Sequence, residues 1–411
     1  MLICSYRIFT SRASRLLIWL LLLSLLLDIG GGFGLKYLVL SFFLFFGMVK
    51  LLKEKINRSL FFEISLCVFF SAAALVSVLR GNNIIYAFSE VSFLAFLSLL
   101  VVGNRVGADF LESAFLRVSF FAAIIVITTF FVIFFFPRVG IFATSFSIEN
   151  RLGYIGVKSI GSGVPNVYFR WSIWLLLGFA LSLFSKKYFL SAVILAAAVM
   201  TLSTAVIGGV VMVMLVYAFI GGGSKYVKLV RISFIPVLIV FGSVLSIYLF
   251  PNISAEVLSK LSESSSSSSI KIGHIKSILI LLADEPHYLI YGQGPGSWFY
   301  STGAGSLVKD VEVSHFNLLR QFGVFGFALY FFYSFYVIVS LLHLGRRGYA
   351  WAVGLTVMFI MAGTNPLLLS PIFFVPLMLG RVYYLESIKA KNHERGQSRG
   401  SDVDIQWMSI P

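Results

Sequence analysis

Apolar residues run through this chain in long blocks rather than in alternation. Stretches of about 17 to 25 residues recur from end to end, the length a helix needs to cross a hydrocarbon core. Blocks at 16–34, 36–52, 59–79, 83–102, 115–136, 169–185, 188–202, 204–221, 231–250, 317–343, 349–363 and 371–385 predict about twelve spans. The pair 188–202 and 204–221 reads either as a short hairpin or as one long kinked helix. The expected fold is all-α, a polytopic transmembrane helical bundle. Residues 1–385 form one membrane domain, and 386–411 a short polar cytoplasmic tail that is expected to be disordered.

The polar gaps between blocks orient the bundle. Of 32 Lys and Arg residues, 21 fall on the side of the N-terminus and 11 on the other. The positive-inside bias then places both termini in the cytoplasm. It leaves two long periplasmic loops, about 137–168 and 251–314. The second contains the serine run Ser264–Ser269, which reads as a flexible connector. After it, Ile272, Ile275, Ile278, Leu279 and Leu282 fall at helical spacing, so an amphipathic helix is expected on the outer face of the membrane.

Composition narrows the function classes. The chain of 411 residues is 59% hydrophobic and only 12% charged, where soluble domains carry about a quarter. A large soluble core is excluded. The net charge of +15 does not mark a nucleic-acid surface, because the basic residues sit in short gaps between apolar blocks. Arg7, Arg12 and Arg15 precede the first block, but no small-residue cleavage pattern follows, and a retained first helix is expected. Cys4 and Cys67 have neither disulfide nor metal-ligand spacing. No D-x-D pair stands in an outside loop and no H-E-x-x-H motif occurs, so no metal and no cofactor are expected.

Chemistry is sought among basic residues on the outer side: Arg80, Arg138, Arg151, Lys158, Arg170, Lys271, Lys276, Lys309 and Arg320. Each could simply solvate a loop end. Arg170 and Arg320, at the outer ends of spans, could instead grip a phosphate with the paired donors of a guanidinium. In Glu312-Val-Ser-His315-Phe-Asn317-Leu-Leu-Arg320-Gln321, a helix would bring a carboxylate, an imidazole and a guanidinium to one face. That is either a base, an orienting partner and a phosphate clamp, or a polar first turn with snorkelling side chains. Gly292-Gln-Gly294-Pro-Gly296 lacks the spacing of a nucleotide loop. It reads as a tight turn that lets backbone approach another segment or a ligand, as does Gly161-Ser-Gly163-Val-Pro165-Asn166. Glu63 and Glu90 lie inside apolar blocks and should face the bundle interior, as functional groups or as partners of buried donors.

Five stretches carry a family resemblance. Leu289–Tyr300, then Glu312–Gln321 and Phe322–Phe327, resemble the outside loop and following helix of O-antigen polymerases, with their G-Q-G-x-G-S turn, acidic residue and L-x-R-x-x-G-x-x-G helix start. Gly363-Thr-Asn365-Pro366-Leu is similar to their late turn between spans, and Gly163–Arg170 to an earlier outside loop ending in arginine. The related O-antigen ligases carry an adjacent His-Asn pair that His315-Phe-Asn317 splits, and an arginine that Ser203–Gly208 lacks.

The resemblance implies glycosyl transfer at the outer face of a bacterial inner membrane. A growing glycan on undecaprenyl diphosphate would pass to the next lipid-linked repeat unit. The implied partners are that lipid-linked oligosaccharide, membrane lipids and a chain-length regulator protein, with no nucleic acid. Arg170, Arg320, Arg151 and Arg80 would bind diphosphate, His315 and Glu312 would handle the acceptor's proton, and Gly292, Gly294 and Gly296 would turn the chain beside the substrate. A ligase and a lipid-linked oligosaccharide flippase are the alternatives.

Overall fold

Among the described residues helices occupy the apolar blocks, and three further helices lie in the two long gaps. The computed structural model describes residues 2–28, 34–53, 60–149, 156–157, 167–220, 266–363 and 365–406. Helices α1 (Leu2–Leu27), α2 (Leu35–Lys53) and α3 (Phe61–Leu79) come first. The next block is broken into α4 (Ile84–Glu90), a 3-10 turn (Ser92–Leu97) and α5 (Ser98–Val102), with a bend of 41° between its halves. Then come α6 (Ala108–Phe135), α7 (Pro137–Glu149), α8 (Trp174–Phe184), α9 (Tyr188–Met200) and α10 (Thr204–Ile220). Beyond the second long loop's start lie α11 (Ser266–Asp284), α12 (Pro286–Tyr291), α13 (Ser314–Leu342), α14 (Arg346–Met361) and α15 (Pro371–Gln406). Two antiparallel pairs are the described strands: β1 (Gly156–Val157) with β2 (Val167–Tyr168), and β3 (Phe299–Ser301) with β4 (Ser306–Val308).

Among the described residues, three helices are long and apolar enough to cross a membrane: α3, α6 and α13. The bent pair α4–α5 makes a fourth if it counts as one span. Their outward faces carry bare apolar side chains such as Leu79, Phe135 and Phe332, which water does not tolerate in such number but lipid does. This is the build of a mostly helical membrane protein. Within it, α8 is apolar on every side and buried along nearly its whole length, the signature of a central helix. Small residues bring its neighbours close: Gly178 lies against Ser119 of α6, and Gly354 of α14 against Leu177. Trp174 also donates its indole N–H to the Ile372 carbonyl at 2.7 Å.

Several expectations change. The blocks 188–202 and 204–221 are two helices, broken at Leu202, whose φ is 47°. The serine run is not simply a connector, because Ser266 to Ser269 form the first turn of α11. The tail does not lose structure at 386, since α15 continues to Gln406. Glu386 and Lys389 pair at 2.8 Å one turn apart, and Glu386 also receives the Gly107 N–H at 3.3 Å. The same 103–107 turn is held by Arg15, which donates to the Val106 carbonyl at 3.1 Å, and by Lys50, which donates to that of Asn104 at 2.9 Å. The expected span 231–250 lies outside the described residues.

Candidate functional site

The loop end of the bundle is organised by a glycine turn. Gly292, Gly294 and Gly296 have φ of 78°, 105° and 78°, a region that side chains disfavour. A Cβ at each would strike a different neighbour: Gln321 of α13, Ser77 of α3, and the Tyr86–Ala87 backbone of α4. The turn is thus a close approach of chain to chain, not a cradle for a ligand. Ser77 donates to the Pro295 carbonyl at 2.8 Å, and Arg80 to that of Gly292 at 3.1 Å. Gln293 and Gly294 donate their N–H groups to the Arg320 and Gln321 carbonyls at 2.7 and 3.1 Å. Gly323, at φ 64° inside α13, is the reciprocal contact, 2.2 Å from the Ile290 oxygen if it bore a Cβ. Gly323→Ala should therefore cost about 1–3 kcal/mol, read as a lower melting temperature of the purified protein.

Arg320 is not the exposed clamp its position implied. It is fully buried. Its guanidinium donates to Asn317 Oδ1 (3.2 and 2.8 Å), Gln293 Oε1 (2.7 Å), Ser297 O and Oγ (3.1 and 3.0 Å) and Lys309 O (2.7 Å). It also stacks 4.4 Å from the Phe299 ring. All its donor nitrogens are engaged by the protein, so it fastens the 292–309 loop to α13 and has none to offer a diphosphate.

The expected meeting of Glu312, His315 and Arg320 does not form. Helix α13 starts only at Ser314, so Glu312 precedes it and helical spacing does not apply. Glu312 points outward, 3.2 Å from Lys271 of α11 and about half exposed. His315 turns the other way and meets the Phe359 ring of α14 at 4.9 Å. Ser314 proves a structural partner of the late turn. It donates to the Asn365 carbonyl at 2.6 Å and accepts the Leu367 N–H at 2.7 Å.

Arg170 opens the 3-10 turn (Arg170–Ile173) that leads into α8. Phe169, Trp171, Ser172 and Ile173 around it are buried, Phe169 stacks on Trp171 at 4.5 Å, and Ser172 accepts the Phe169 N–H at 3.1 Å. These anchors leave the Arg170 side chain exposed, with no hydrogen bond or ion pair among the described residues. Lys36 lies close enough to feel its charge, as does Tyr168. Burial pushes the Tyr168 phenol up to about 12, with Arg170 pulling it down and Glu312 pushing it up. Burial also draws the His274 imidazole below its ordinary value, against the field of Glu312. Three cations (Arg170, Lys36, Lys271) and one exposed carboxylate therefore border a common region. Arg80 is exposed beyond its bond to Gly292, and Arg151 lies outside the described residues.

One cluster had no clear signal beyond an acid inside an apolar block. Lys309 Nζ lies 2.9 Å from Glu90 Oε1 and 3.2 Å from Asp310 Oδ2. Burial opposes the Lys309 charge, but Glu90 and Asp310 outweigh it and hold the ammonium above its ordinary value. Glu90 is therefore the partner of Lys309. Among the described residues no group of His, Cys, Asp and Glu could hold a metal. The chain matches no family model, and no curated protein matches it.

Proposed function

We propose that this protein is an O-antigen, or similar repeat-unit, polymerase of the bacterial inner membrane. In this reading it crosses the membrane about twelve times, with both termini in the cytoplasm and the loop end facing the periplasm. The observation that carries the reading is the exposed guanidinium of Arg170, without a hydrogen bond or ion pair among the described residues, with Lys36 beside it and the Glu312 carboxylate facing the same region. A lipid-linked diphosphate presents its charge at this depth, with its tail in the bilayer. The acceptor hydroxyl attacks the donor's anomeric carbon, and the bond from that carbon to the diphosphate oxygen breaks. Undecaprenyl diphosphate leaves with its charge met by Arg170 and Lys36. Glu312 is the group we assign to the hydroxyl proton. Arg320 takes no part in binding and positions the loop instead. Membrane lipids and a chain-length regulator are the further partners in this reading.

The test is the glycan ladder made by cells carrying Arg170→Ala. Polymer should fall by at least about 100-fold, leaving a single repeat unit on the lipid core. Arg170→Lys should fail as well, since an ammonium lacks the paired planar donors. Normal long chains from both variants would sink the assignment. Loss of even the first repeat would point to the ligase instead.

A further inference from the structure

Glu90 ends α4 where the chain bends, and Lys309 bridges it to Asp310. The same ammonium sits 5.0 Å from the centre of the Tyr86 ring. That ring meets Trp298 edge to face at 6.2 Å. Trp298 is 50% exposed and Tyr86 40%, while Phe299 next to Trp298 is 4% exposed beneath the Arg320 guanidinium. Burying Phe299 forces the residues on either side of it, Trp298 and Tyr300, to face outward. Gln293 locks this arrangement, because one end of its amide receives Arg320 and the other donates to the Trp298 carbonyl at 2.9 Å.

The result is two carboxylates around one ammonium, beside an open indole. Each carboxylate has accepting capacity beyond the lysine. A phosphate is a poor guest here, since the ammonium is already held by two carboxylates that would repel it. An acyl chain would have no use for the ions. A pyranose matches both halves. Its hydroxyls donate to carboxylates and accept from an ammonium, and its C–H face lies against the negative face of an aromatic ring.

We propose that Glu90, Lys309 and Asp310, with Trp298 and Tyr86, form a saccharide-binding subsite for a sugar ring of the glycan. It rests on the polymerase reading only for the identity of its guest, and it shares no residue with the proposed diphosphate site at Arg170.

The experiment uses the full chain in lipid nanodiscs. The probe is the repeat-unit oligosaccharide released by mild acid from the lipid-linked pool of cells lacking this protein. Wild type should bind it saturably in a saturation-transfer NMR titration. Trp298→Ala should weaken binding at least about tenfold, Trp298→Phe should retain most of it, and Glu90→Gln should weaken it. Trp298 is half exposed, so its loss does not threaten the fold. Arg170→Ala should bind the free oligosaccharide as wild type does. Absence of binding by wild type overturns the subsite, as does unchanged binding by both Trp298→Ala and Glu90→Gln. Quenching of Trp298 by brominated lipid with no response to sugar would make it a membrane-belt residue and would also overturn it. If Arg170→Ala abolishes polymer while Trp298→Ala changes nothing, the polymerase stands and the subsite falls. If polymer is normal in Arg170→Ala while Trp298→Ala loses sugar binding, the subsite stands and the polymerase reading falls.

Discussion

Arg320→Ala should unfold the loop end of this protein rather than merely weaken its substrate binding. The buried guanidinium serves five acceptor atoms, Asn317 Oδ1, Gln293 Oε1, Ser297 O, Ser297 Oγ and Lys309 O. Removing it strands the three buried ones, Asn317 Oδ1, Ser297 O and Ser297 Oγ, away from water, and each buried orphan costs about 1–3 kcal/mol. Even with partial relaxation the sum is roughly 4–5 kcal/mol, at the extreme of single substitutions. Arg320→Lys should recover only part of it, since three N–H groups replace five and lose their fork geometry. Intrinsic-fluorescence melting of the detergent-purified protein checks the stability. Hydrogen exchange over 292–309 locates the loss, and exchange there should rise while the α8 core stays protected. An Arg320→Ala protein that melts like wild type but makes no glycan would restore the arginine as a substrate clamp and remove its structural role.

The length of the apolar blocks made the helices legible, because a bilayer demands that length and little else produces it. Phe61–Leu79, Ala108–Phe135 and Ser314–Leu342 follow from it directly. The glycine turn was legible as a close approach, though not which backbone it would approach. What failed was local phase. Whether Glu312 and His315 share a face depends on where α13 begins, and Ser314 is drawn into the late turn at Asn365, which no local pattern reveals. The direction of Arg320 failed for a related reason. A guanidinium at the end of a span reaches outward unless a loop folds over it, and here the 292–309 loop does. The pairing of Glu90 with Lys309 joins distant segments, so neither periodicity nor motif carries it. The exposure of Arg170 follows from its neighbours Phe169 and Trp171, whose burial turns the cation outward.

Glu63→Ala should be the second severe lesion, at the opposite end of α3. Glu63 Oε1 lies 3.0 Å from Arg381 Nε, with the two side chains 4% and 1% exposed. Tyr333 donates to the same oxygen at 3.3 Å, and the guanidinium lies 4.8 Å from the Tyr336 ring centre. An apolar block places its one carboxylate inward because lipid will not take the charge, and here it links α3 to α15. Removing the carboxylate leaves Arg381 charged without it in a dry interior, at a cost of about 3–5 kcal/mol. Replacing both partners by apolar groups, Glu63→Leu with Arg381→Met, should bring stability back to within about 1–2 kcal/mol of wild type, because neither charge is then buried alone. A double-mutant cycle on melting temperature measures that coupling. Near-additive losses from the two single changes would show that Glu63 and Arg381 do not depend on each other. A double variant that is stable yet polymerises nothing would instead mark the pair as part of the working mechanism, so glycan ladders belong beside the melts.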